Sequence, residues 1–201
     1  QQAADIALTA GCHPGDAITV AGAVAQTGAP TLVMSYWNPI ERYGVRRFAD
    51  DLADRGGVGV ITPDIIPEES QAWFAATDAA AIDRVYLAAP SSTDDRLDTV
   101  AAACTGFVYA ASLMGVTGTR ESVSGAAADL VGRLRPRTHL PVAVGLGVST
   151  PDQAAEVSGY ADGVIVGSAF VREVLEADSP RAAARGVSDL AAALAAGVRR
   201  R

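Results

Sequence analysis

The chain has 201 residues, 49% of them hydrophobic and only 5% aromatic, which suits one soluble domain with a core of Ala, Val, Leu and Ile. Its formal net charge of −7 would repel a phosphate backbone, which excludes nucleic-acid binding; the basic end Arg199–Arg201 reads as a solvated tail. Two distant cysteines, Cys12 and Cys104, offer neither a disulfide framework nor a zinc motif, and no run reaches the roughly 18 apolar residues of a membrane span. The start, Gln1 to Asp5, lacks the basic and apolar regions of a signal peptide, so a cytoplasmic protein that touches no membrane is expected.

In chain order, the opening segment to Thr27 is predicted to form two helical pieces interrupted by Gly11, Cys12, His13, Pro14 and Gly15, with Asp16 capping the second. Short β-branched runs then recur, each followed by an Ala-rich charged stretch with helical spacing, which is the mark of βα units around a parallel sheet. Strands are predicted at Thr31–Tyr36, Gly59–Thr62, Arg84–Ala88, Gly106–Ala111, Pro141–Gly145 and Gly163–Val166, nearly continuous in apolar residues as buried parallel strands are. Between them, Pro67, Glu68 and Glu69 open a helix carrying Trp73 and Phe74, both expected in the core. Thr93, Asp94 and Asp95 open another that runs through Ala103, and Ser149, Thr150, Pro151 and Asp152 a third. A closed (β/α)₈ barrel takes eight strands and about 250 residues, so six strands leave the barrel short at its front; an open six-stranded sheet is the alternative. No G-x-G-x-x-G or Walker motif supports the nucleotide-binding versions of that open sheet.

Ligands of parallel α/β folds sit at the C-terminal ends of the strands, so the loops leaving each strand carry the functional argument. After the fourth run, Gly115-Val-Thr-Gly118 has the composition of a mobile lid, or of an ordinary connector. The next two strands end in Gly145-Leu-Gly147 and Gly167-Ser168, and a short helix begins near Ala169. Successive glycines let backbone N–H groups approach an anion at a helix N-terminus, which points to phosphate; glycines that merely satisfy tight turns are the other reading. Tyr109 could face a substrate or cap the core. Tyr36-Trp-Asn-Pro39 ends the first strand in an aromatic and polar turn fit for a substrate, a partner, or both. His13 and His139 lie away from these strand ends, and no His, Cys and carboxylate cluster suggests a metal site.

Taken in order, Met34-Ser-Tyr-Trp-Asn-Pro39 with Arg42-Tyr-Gly44, Pro63-Asp64, Pro67-Glu-Glu69, Gly106-Phe-Val-Tyr109, Gly115-Val-Thr-Gly118, Pro141 to Gly147 and Asp162-Gly-Val-Ile-Val-Gly-Ser-Ala169 resemble the tryptophan synthase α subunit family, indole-3-glycerol-phosphate lyases, over almost the whole chain. The resemblance implies an α/β fold, the (β/α)₈ TIM barrel lacking about its first two strands, with residues 1–201 as a single, N-terminally incomplete domain. It implies retro-aldol cleavage of indole-3-glycerol phosphate to indole and glyceraldehyde 3-phosphate, without a cofactor in this chain. The partner would be a pyridoxal-phosphate-dependent β subunit in an α2β2 assembly. By position, Tyr109 and Thr117 match catalytic residues, Gly118, Gly147, Gly167 and Ser168 the phosphate site, and Tyr36, Leu146 and Ile165 the pocket wall. Leu146 stands where many relatives have Phe. Asn38, Asp64 and Pro67 fall where the family meets its β subunit.

The family's acid and base, a glutamate ending the second strand and an aspartate in the following loop, fall before Gln1. The expectation is little or no lyase activity for the chain alone, since a positioned acid/base pair supplies several orders of magnitude. Exposed sheet edges at the incomplete front are expected to make it aggregate or pair. A non-catalytic module that docks on and regulates a β subunit is the alternative function; another phosphate-binding barrel is a third, disfavoured by the lid together with Tyr109.

Overall fold

Proline and glycine punctuate the first residues as the sequence indicates. Helix α1 (Gln2–Thr9) stops before Gly11, whose φ of 83° is left-handed, and α2 (Pro14–Ala25) starts with proline in its first turn. The N-cap of α2 is His13, three residues earlier than expected. Asp16 sits inside the helix and closes the cap from there, its carboxylate accepting the His13 N–H at 2.7 Å. The computed structural model describes residues 2–111, 120–145 and 147–200, and the side chains of residues 120–124 are left aside.

The βα alternation follows: β1 (Leu32–Met34), α3 (Trp37–Tyr43), α4 (Val45–Asp54), β2 (Gly59–Ile61), a 3₁₀ turn at Pro67–Glu69, α5 (Gln71–Ala80), β3 (Asp83–Val85) and β4 (Leu87–Ala88). After these come α6 (Asp94–Ala103), β5 (Val108–Ala111), α7 (Arg120–Leu134), β6 (Val142–Gly145), α8 (Pro151–Ser158), β7 (Gly163–Ile165), α9 (Ser168–Leu175) and α10 (Pro180–Val198). One expectation is corrected: Arg84–Ala88 is not a single strand. Tyr86 interrupts it, and β3 completes a three-stranded sheet of order β1-β2-β3 while β4 opens a second of order β4-β5-β6-β7. A side-chain acceptor explains the break: the Tyr86 N–H donates to Cys104 Sγ at 3.3 Å instead of to a strand carbonyl. The pairs β1–β2, β2–β3 and β6–β7 are all parallel. Pro67–Glu69 is likewise a separate turn before α5 rather than its first residues.

The residues gather into two compact units, Gln1–Leu87 with Asp98–Val108, and Ala88–Leu97 with Tyr109–Arg201. In the first unit Trp73 is fully buried, with Trp37 edge-on at 5.8 Å and Phe48 at 6.4 Å between ring centres. Helix α4 turns Phe48, Ala49 and Leu52 inward and spends its other face on Arg46–Asp50 and Arg47–Asp51 pairs one turn apart. Gly44, at φ 102°, ends α3 and starts α4 at the same residue, a turn that side-chain-bearing residues resist.

In the second unit the strands show the two-residue rhythm of a sheet covered on one face: Val108, Ala110, Val142 and Val144 are buried, whereas Tyr109, Ala111, Ala143 and Gly145 are half-buried on the opposite face. Asp162 anchors the start of β6, accepting the Val142 N–H at 2.9 Å and an Arg135 N–H at 2.7 Å. Helix α10 packs on α8 closely enough that a methyl at Gly197 would lie 2.3 Å from the Pro151 carbonyl oxygen. No described helix is long and apolar enough to cross a membrane.

Candidate functional site

The ends of β5, β6 and β7 bring several of the expected residues together. Tyr109 and Gly145 lie on the same half-buried face of their sheet, and the Tyr109 ring passes directly over the glycine. A Cβ built on Gly145 would stand 2.2 Å from the Tyr109 hydroxyl oxygen and 2.7 Å from ring carbons. Glycine is therefore the residue that lets the phenol occupy this place. Gly145 pairs in register with Ile165, which sets Ile165 beside it on the same face. Burial pushes the Tyr109 pKa above the ordinary tyrosine value, so its hydroxyl stays protonated at neutral pH and can donate a hydrogen bond.

Two residues beyond that pair stand Gly147 and Gly167, both exposed. They differ in what demands a glycine. Gly147 has φ 68°, a backbone that disfavours side chains, so turn geometry accounts for it. Gly167, the N-cap of α9, has φ −130°, and a Cβ there would meet nothing within 4 Å. Neither strain nor crowding calls for glycine at 167. Its effect is to leave the first amides of α9, at Ser168 and beyond, without a side-chain cap. By contrast α8 is capped by its own residues, Thr150 Oγ1 accepting the Gln153 N–H at 3.3 Å. Thr117, Gly118 and Leu146 lie outside the described residues.

The loops after β1 and β2 form a second cluster, within the first unit. Tyr36 is 67% exposed and serves as N-cap of α3, and Asn38 is exposed in that helix's first turn. The Trp37 N–H, one of the orphan donors of α3, is taken by Asp64 Oδ1 at 2.8 Å. Asp64 thus ties two loops that lie 27 residues apart. Pro67, expected at the partner surface, is buried; Asp64, Ile66 and Glu68 form the exposed side of this loop instead. Along α3 an open groove of about 540 Å³ is lined by Met34, Asn38, Arg42, Phe48, Cys12 and others. Cys12 is an exposed thiol, whereas burial pushes the Cys104 thiol up to about 11 and leaves it inert. Among the described residues no three His, Cys, Asp or Glu gather as a metal site would require.

Reading residue types in order missed what Gly145 and Asp64 do. The signal for Gly145 was present in the Val-Ala-Val-Gly alternation, which puts that glycine on the same strand face as a substrate would use, but only the register shows what lies over it.

Comparisons with known proteins identify the family. The family model described as tryptophan synthase alpha chain matches residues 1–199. The alpha chain of Thermobifida fusca is 60% identical over 202 residues, covering 99% of this chain and 75% of the relative; that of Acidothermus cellulolyticus is 56% identical, covering 99% and 74%. Among solved structures, Mycobacterium tuberculosis tryptophan synthase in space group F222 superposes with a TM-score of 0.89 at 48% identity, over 98% of this chain and 74% of that one. A mutant alpha-subunit from Pyrococcus furiosus gives 0.82 at 31% identity, over 94% and 76%. The chain thus spans about three quarters of the length of these relatives and shares their fold, the α/β barrel expected from its sequence. It belongs to the tryptophan synthase alpha chain family, the lyase subunits of tryptophan biosynthesis.

Proposed function

We propose that this chain holds indole-3-glycerol phosphate for cleavage into indole and glyceraldehyde 3-phosphate. The phosphate lies at the open N-terminus of α9, where Gly167 and Ser168 with Gly147 supply backbone donors and the helix dipole favours negative charge. Donors that belong to the backbone suit a chain whose net charge is negative. The observation that carries the reading is Gly167, a glycine that neither its backbone angle nor its surroundings require. Tyr109, protonated and seated over Gly145, donates toward the substrate, while Ile165 beside it forms apolar wall for the flat indole ring. Thr117, Gly118 and Leu146 belong to the same reading by their place in the family motifs. The chain carries no cofactor of its own, and its setting is the cytoplasm, in keeping with its free thiols Cys12 and Cys104.

Asn38 and Asp64 make the surface for a tryptophan synthase β subunit, which holds pyridoxal phosphate, while Tyr36 keeps its place in the pocket wall by the family motif. Replacing Asp64 with alanine strips the acceptor from the Trp37 N–H, at a cost of about 1 kcal/mol in stability, the usual size for a lost helix cap. The same variant is expected to bind the β subunit less tightly, because the Tyr36–Asn38 turn loses its anchor. Urea unfolding and titration against a labelled β subunit measure the two effects, and undiminished β-subunit affinity would remove Asp64 from this surface.

The function itself is tested by incubating the chain with indole-3-glycerol phosphate, with and without β subunit. Indole release shows a competent lyase. Binding of the phosphate ester without release, together with raised β-subunit activity, shows a substrate-holding and docking role. Failure to bind the ester at all overturns the reading.

A further inference from the structure

The turn that follows β6 is held by a single side-chain oxygen. Gln153 Oε1 accepts from the Ser149 N–H at 2.8 Å, the Thr150 N–H at 3.1 Å and the Ser149 hydroxyl at 3.2 Å. One carbonyl oxygen thereby gathers three donors from two consecutive residues, more than an N3 glutamine needs to close a capping box, which takes only the N-cap amide. Val148, 3% exposed, pins the same turn from the core side. Gly147, next along, is in the left-handed region with no side chain to restrain it. The turn is therefore fixed at Val148 by burial and at Ser149–Thr150 by Gln153, and those two restraints set where the Gly147 backbone lies.

We propose that Gln153 is a positioning residue for phosphate, holding the turn that carries Gly147 in its binding conformation before the ligand arrives. This rests on the phosphate reading given above. With the oxygen in place, the amides of Ser149 and Thr150 are occupied and the N-terminus of α8 has little left to offer an anion. The adjacent N-terminus of α9, which has no side-chain cap, keeps its donors for the ligand. Gln153 so does two things at once: it rigidifies the Gly147 turn and removes the nearer competing donors. Without that oxygen the turn must be ordered at the moment of binding, and the ordering cost lowers affinity.

Two variants separate this role from ordinary helix capping. Gln153→Met keeps the length and shape of the side chain and removes the acceptor. Thr150→Ala removes the reciprocal cap to the Gln153 N–H but leaves the Gln153 oxygen and both backbone donors in place. The chain and each variant are titrated with inorganic phosphate and with glycerol 3-phosphate by calorimetry, and urea unfolding is measured in parallel. Both variants are expected to lower the unfolding midpoint, whereas only Gln153→Met raises the dissociation constants, by roughly fivefold, the size that ordering a short turn on binding produces. Equal effects of the two variants on binding, or no effect of either, would overturn the inference and leave Gln153 a helix cap. Should the unaltered chain bind neither ligand, the phosphate reading itself fails and this inference with it.

Discussion

Gly145→Val is expected to displace the Tyr109 ring and to lower affinity for indole-3-glycerol phosphate at least about tenfold, the scale on which a pocket misfit acts. The argument is steric. Even the first carbon of a side chain would sit 2.2 Å from the Tyr109 hydroxyl oxygen, far inside contact distance, and the strand that carries Gly145 is paired on the Ile165 side and cannot retreat. The ring must turn away, and overpacking of this kind costs about 1–3 kcal/mol in stability. A titration follows the ring directly. Burial is what raises the Tyr109 pKa, because it disfavours the phenolate; a ring driven toward water loses that penalty, so its pKa should fall back toward the ordinary tyrosine value. Ultraviolet titration of the variant against the unaltered chain measures the shift, and an unchanged Tyr109 titration would mean that the ring does not rest on Gly145. Gly167→Ala supplies the contrast: with nothing within 4 Å of the added carbon, its stability should change by less than about 0.5 kcal/mol.

The second large effect concerns Arg84, which lies in β3 and is only 8% exposed. Its guanidinium donates to Thr77 Oγ1 at 2.8 Å, to the Ala103 carbonyl at 3.3 Å and to the Phe74 carbonyl at 3.4 Å, pairs with Asp78, and stacks over the Phe74 ring at 4.7 Å. One side chain thereby joins α5, β3 and the end of α6. Arg84→Met fills much of the same volume but leaves those acceptors unmatched in a poorly solvated place, and a loss of about 2–3 kcal/mol is expected by urea unfolding. Asp78→Asn should cost less than about 1 kcal/mol, because Asp78 is 66% exposed and the remaining acceptors still hold the arginine. Similar losses from the two would show that the ion pair, rather than the buried carbonyl and hydroxyl acceptors, secures Arg84.

Much of the candidate site is legible because the groups it offers belong to the backbone and to local spacing. The phosphate-like pattern of Gly147, Gly167 and Ser168 needs only a strand end followed by a helix start, and both are announced by residues within a few positions. The split of Arg84–Ala88 was not legible. Its apolar run looks continuous, and the interruption comes from Cys104, 18 residues away, accepting the Tyr86 N–H. Asp64 was read as a partner contact on its place in a motif; that its carboxylate also caps α3 depends on a residue 27 positions earlier. Pro67 was expected at the surface on the same motif, but the fold turns it inward and exposes its neighbours.

By itself the sequence determined the alternation of strands and helices, the cap at Thr150, and the glycines that open strand ends. Those features follow from propensity, periodicity and hydrogen bonds spanning at most about four residues. Only the tertiary structure decided which of these residues meet: Tyr109 over Gly145, Asp64 on the first amide of α3, Arg84 among the carbonyls of two helices. The physical reason is that strand register and helix packing fix such meetings, and both are set by burial summed over the whole core, to which no single stretch of sequence contributes enough to be read alone.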